Sequence, residues 1–183
     1  VNDGWARYGN GIWEYTPNLT GSDFLTEGSI TYSNVTCSAS SPALQGSGGT
    51  GEVLIRQWTP YIICGRPAGS DPFNGGVTDT VIIRGSVVGS GVQVGVSADN
   101  GSTFTMRSVS GNFSEDFEDL VDAKYTYTVR LVCPEGAGLD ELTIKTHTMC
   151  APSMMPHLTN GTNSINYTAT NSGVAAFEPD FSS

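Results

Sequence analysis

Positive charge is scarce in this sequence. Eight Lys and Arg stand against eighteen Asp and Glu in 183 residues, a net charge of −10. Grooves that track phosphates draw their affinity from clustered Lys and Arg, so this balance argues against a nucleic-acid partner. Histidine is nearly missing too, with only His147 and His157. Nucleophilic catalysis by Ser or Cys needs such a base. His147 falls on the polar face of its stretch, however, and His157 follows a proline. The chain carries no nucleophile elbow, phosphate loop, His-Glu-x-x-His motif or dinucleotide fingerprint. Any two of the acids could form a glycosidase pair, but one small domain offers little room for the cleft that chemistry uses. The expectation is a non-catalytic protein that needs no cofactor.

Long hydrophobic runs are absent as well. None approaches the roughly 20 apolar residues of a membrane helix, so no membrane span is expected. No basic-then-apolar leader opens the chain, which points to a processed or excised chain. Helical periodicity is nearly missing. In its place, short stretches rich in Val, Ile, Thr and Tyr recur between Gly, Asn, Pro and Ser. That punctuation predicts about nine strands, at 11–15, 29–37, 52–58, 61–64, 78–88, 92–98, 102–108, 125–133 and 142–150, with a polar tenth at 163–170. Tyr125, Tyr127, Val129, Leu131 and Cys133 alternate with Thr126, Thr128 and Arg130, the pattern of a sheet with one face buried and one wet. Nine such strands suit an all-β, antiparallel sandwich of jelly-roll type. The chain then divides into an aromatic N-terminal arm (1–20), the sandwich (21–158) and a polar C-terminal tail or extra strand (159–183).

Stretches 38–51 and 65–76 read as long surface loops. Residues 115–124 read as a helical turn capped by Ser114. Its acids, Glu115, Asp116, Glu118, Asp119 and Asp122, are oxygen donors of the kind that hold calcium. Such a run is more commonly a solvated face.

Three features point outside the cell: an even number of cysteines, an acidic Ser/Thr/Gly-rich surface, and six N-x-[ST] sequons. The sequons begin at Asn18, Asn34, Asn100, Asn112, Asn160 and Asn166, more than twice what the composition gives by chance. Cys37, Cys64, Cys133 and Cys150 allow three pairings. If 125–133 and 142–150 form a hairpin, Cys133 and Cys150 lie on the order of 25 Å apart, beyond disulfide reach. The remaining pairings tie Cys37 and Cys64 to the C-terminal half. No Cys-x-x-Cys spacing suggests zinc.

One motif carries a resemblance. Ser97, Asp99, Gly101, Thr103 and Phe104 lie in S-A-D-N-G-S-T-F, which resembles the Asp-box of sialidases and other secreted β proteins. Physically it is a hairpin turn, with Asp99 accepting backbone N–H bonds, Gly101 left-handed and Phe104 beneath. It occurs once, so a propeller and its active site do not carry over. The stretch from about 92 to 150 is similar to β-sandwich modules of secreted bacterial polysaccharide-processing proteins. That resemblance implies a fold and an extracellular setting rather than an activity.

Two functions fit these observations. Trp5, Tyr8, Trp13 and Tyr15 place four of seventeen aromatics within the first 15 residues. Aromatics this dense need a dock. An extended arm that pairs with a neighbour's sheet edge builds a self-assembling fibre or sheath, a homo-oligomer by strand exchange. This is the first expectation. The alternative is a carbohydrate-binding module using Trp5, Trp13, Trp58, Tyr61 and Phe73 against sugar rings. Trp58 itself, set between EVLIRQ and Pro60, is expected in the core, and Trp13 half-buried.

Overall fold

β-branched stretches this short cannot satisfy their own backbone groups and must pair with distant segments. The computed structural model describes residues 11–67, 77–117, 120–149 and 175–179, and the chain there is nearly all strand. In order the strands are β1 (Gly11–Tyr15), β2 (Ile30–Ser33), β3 (Val35–Cys37), β4 (Leu44–Gly46) and β5 (Gly51–Trp58). Next come β6 (Ile62–Ile63), β7 (Arg66–Pro67), β8 (Val77–Thr78), β9 (Val81–Val88) and β10 (Gln93–Ser97). The last five are β11 (Thr105–Ser108), β12 (Asn112–Asp116), β13 (Thr126–Cys133), β14 (Gly138–Met149) and β15 (Ala175–Pro179).

They form the expected all-β sandwich of two antiparallel sheets. One sheet has five strands in the order β11-β10-β13-β5-β2. The other has eight, with β12-β9-β14-β1-β15 as its main path and β3, β4 and β6 attached through β4 and β14. A separate two-stranded piece joins β7 and β8. Val53, Ile55, Val129 and Leu131 of the smaller sheet and Ile83 and Ile144 of the larger are completely buried. At roughly 1.5–3 kcal/mol per fully buried aliphatic side chain, this layer is the main source of stability. Phe24 and Leu25, in the 3-10 turn Ser22–Thr26, join the same core.

Four expectations are corrected. The stretch 29–37 is two strands, not one: Asn34 takes a left-handed φ of 50°, and the chain turns there from the smaller sheet to the larger. Asn tolerates that conformation better than most residues. The supposed hairpin of 125–133 with 142–150 does not form, because β13 lies between β10 and β5 while β14 lies between β9 and β1. The connection through Gly136, at φ 73°, carries the chain across the sandwich instead. The argument against a Cys133–Cys150 bridge falls with it. Stretch 38–51 is not all loop. Leu44 is fully buried, and β4 pairs with both β3 and β14. Asp140, set at an irregularity in β14, holds it by accepting bonds from the Ala43 N–H (2.9 Å) and the Ser41 hydroxyl (2.7 Å). Finally, Ser114, Glu115 and Asp116, expected to open a helical turn over 115–124, lie instead in strand β12. Phe113 packs against the core, and pairing with β9 outweighs the weak helical signal of the acids. The polar stretch 163–170 lies outside the described residues.

Replacing Leu131 by Ala should lower unfolding free energy by about 2–5 kcal/mol, read from urea denaturation. Gly138→Ala should also destabilise, because the new methyl would collide with the backbone of Leu44 and Gln45.

Candidate functional site: the outer face of the five-stranded sheet

Strand parity decides which side chains of β5 reach water. Val53, Ile55 and Gln57 are buried, so Glu52, Leu54, Arg56 and Trp58 point to the opposite side. Cross-strand register extends this face onto β13, where Trp58 lies opposite Thr126, Arg56 opposite Thr128, Leu54 opposite Arg130 and Glu52 opposite Val132. On β10 the same side continues through Gln93, which is partly exposed, and through Gly95 and Ser97, which are buried. Water reaches Glu52, Leu54, Arg56, Thr126, Arg130 and Trp58, a mixed polar and aliphatic surface with one large aromatic at its end. Trp58 is 60% exposed. Its expected place in the core is overturned for a simple reason: its parity is that of Arg56, and Gln57 and Tyr127, opposite each other in register, take the inner side at that level.

The two guanidinium groups of this face differ. Arg130 donates from Nη2 to Glu52 Oε2 at 2.8 Å and lies over the Phe104 ring, 5.3 Å from its centroid. It is committed to the sheet. Arg56 is exposed and makes no side-chain hydrogen bond or ion pair with a described residue.

The turn at 97–104 borders the same face. The Asp99 carboxylate accepts the Thr103 N–H at 2.9 Å, the Thr103 hydroxyl at 2.6 Å and the Ser97 hydroxyl at 2.7 Å. Ser97 Oγ accepts the Gly101 N–H at 2.8 Å. Asn100 and Gly101 both have positive φ, 58° and 86°. The bonds from Thr103 and Ser97 hold the Asp99 carboxyl well below the usual range. Phe104 is partly covered, between the turn and Arg130.

The expected glycan-binding aromatics do not converge. Trp58 stands at the end of β5, and Tyr61, partly buried, follows it after two residues. Trp13 is half-buried in β1 of the other sheet, opposite Thr146. Tyr15 donates its hydroxyl to Glu27 Oε2 at 2.6 Å. Burial, reinforced by that carboxylate, raises its pKa. Trp5, Tyr8 and Phe73 lie outside the described residues. Sequence reasoning missed Tyr125, which is 52% exposed. Alternation places it on the buried side, but β13 begins one residue later, and the Tyr125 carbonyl accepts the Thr59 N–H at the strand end. It also missed Arg56, for which only the parity of β5 was a signal.

The other candidates lie apart. Glu115 pairs with Arg107 at 3.0 Å, and Asp116 accepts the Asp79 N–H at 2.9 Å. Asp122 is partly buried in a turn, and Glu118 and Asp119 lie outside the described residues. No cluster of three or more metal-ligating side chains occurs among the described residues. His147 is buried, and its Nδ1 bonds the Asp79 carbonyl. His157 is outside the described residues. No disulfide joins two described cysteines. Burial raises the thiol pKa of Cys37, and that of Cys133 to about 11. Cys150 is not among the described residues. Asn18, Asn34, Asn100 and Asn112 are all exposed, whereas Asn160 and Asn166 fall outside the described residues.

Compared with known proteins, the chain matches no family model and no curated protein.

Asp99→Ala should speed amide exchange at Thr103 by about fivefold or more, the loss of a typical net hydrogen bond, as read by NMR. Because the folded pKa of Asp99 is depressed, its contribution is present above the ordinary Asp pKa of about 3.9 and is lost as pH falls below it. The acid-unfolding midpoint of Asp99→Ala should therefore lie at higher pH than that of the parent. Cys133, buried with a raised pKa, should react with a thiol reagent at pH 8 more slowly than Cys37, by mass spectrometry of labelled peptides.

Proposed function

We propose that the protein is a non-catalytic, secreted glycan-recognition module that binds saccharide on the outer face of the five-stranded sheet. The observation that carries this reading is Trp58, exposed on a rigid strand with Thr126 opposite it and Arg56 two residues along. A flat indole beside hydroxyl and guanidinium groups is suited to stack on a sugar ring while neighbours bond its hydroxyls. Exposing so large an apolar surface costs hydration without returning stability. A ligand that covers it removes that cost. The resemblance of residues 92–150 to modules of polysaccharide-processing proteins supports the same reading.

Assembly by strand exchange is a second reading, favoured by one observation. β1 is paired on both sides within its own chain, by β14 and β15. Residues 11–15 are therefore not an open arm. β15 forms the outer edge of the main path of the sheet, with residues 150–174 between it and β14. The same register, Tyr15 with Ala175 through Gly11 with Pro179, is one a second copy would offer equally well. Light scattering separates the two: a concentration-dependent oligomer that becomes monomeric without residues 175–183 favours exchange.

For the glycan reading, native affinity electrophoresis against a panel of soluble polysaccharides should show retardation by at least one member. Trp58→Ala should weaken it by tenfold or more while changing stability by no more than about 0.5 kcal/mol. Undiminished retardation of that variant sinks the proposal.

A further inference from the structure

We infer that the glycan bound on this face is anionic, with Arg56 supplying the countercharge beside the Trp58 platform. This inference rests on the glycan-recognition reading and names its ligand class. Charge is its first support. The whole chain has a net charge of −10, yet the charged side chains on the strands of this face are Arg56, Arg130 and Glu52, and the Asp99 carboxylate at its border is engaged by Ser97 and Thr103. Glu52 is already bonded to Arg130. Arg56 is therefore the charged group of this face that no described residue engages.

Position is the second support. Arg56 and Trp58 share a face of β5, two residues or about 6.6 Å apart. A ring stacked on Trp58 would hold its acidic substituent within reach of the guanidinium. Arg presents a planar fork that matches a carboxylate or sulfate group with two parallel N–H bonds, a geometry that a neutral hydroxyl does not use. Arg130 cannot substitute, since its Nη2 is held by Glu52 and its plane lies against Phe104.

The overall negative charge opposes an acidic polymer, and distance decides which effect prevails. At physiological ionic strength charges beyond about 8 Å are largely screened. Arg56 acts at hydrogen-bond distance, whereas acids elsewhere on the surface act through screened water. Binding should consequently be of short range and stronger at moderate than at very low salt, where long-range repulsion grows.

The test uses the full chain with three probes in affinity electrophoresis: alginate for carboxylate, dextran sulfate for sulfate esters, and unmodified dextran as the neutral control. The expected result is retardation by alginate or dextran sulfate and little by dextran. Arg56→Gln should weaken the anionic interaction by tenfold or more, Arg56→Lys should restore part of it, and Trp58→Ala should weaken it as well. Whichever anionic probe is retained identifies the acidic group. Dextran retardation that depends on Trp58 and is indifferent to Arg56 overturns this inference while leaving glycan recognition intact. Absence of retardation by any polysaccharide of a wide panel overturns both. A change in oligomeric state on Arg56→Gln, by light scattering, overturns the inference in favour of a second copy as the occupant.

Discussion

The hydrogen-bonded ladder of β14 is the constraint on which the molecule depends. Along one edge it pairs with β9 and then β6, and along the other with β4 and then β1. Twelve residues thus organise four other strands, two of them too short to stand without it. β14 also supplies Leu142 and Ile144 to the core and, through Asp140, the anchor of the segment ahead of β4. A register slip of one residue would turn all of these to the wrong side. The same logic governs β5 and β13 across the core, where the buried row of Val53, Ile55, Val129 and Leu131 fixes the outward row by elimination.

The candidate site is a consequence of that elimination. Nothing local to Trp58 announces exposure; its position follows from counting back to Val53 and Ile55. Likewise Tyr127, fully buried, needs a polar partner inside, and its hydroxyl meets that of Thr146 from the opposite sheet at 2.5 Å. Burial raises its pKa, so it remains a neutral donor or acceptor within the core. Polar groups inside and an aromatic outside both result from the alternation of strands whose remaining positions are strongly apolar.

Much of the fold was legible because alternation is a local signal. The bounds of β1 and the body of β5, β9 and β13 could be read from Val, Ile and Thr spacing. What could not be read was partnership, which is decided by residues far apart in the chain. Thus 125–133 and 142–150 looked like two arms of a hairpin, whereas four residues around Gly136 send them to different sheets. β4 and β12 escaped because three to five residues, rich in Gln, Ser and acids, carry little intrinsic preference and are strands only by virtue of their neighbours. For the site, aromatic residues were visible as types, but whether Trp58, Trp13 or Tyr15 faced water required the parity of each strand.

The register of β1 with β15 has a mechanical meaning. Gly11 lies opposite Pro179, so the chain enters β1 and leaves β15 at the same end of the pair. Tension applied through the backbone on either side would load these hydrogen bonds one after another, as in opening a zipper, rather than all together in shear. The edge of the larger sheet is accordingly a place where a pulling force would peel the fold open from a single corner.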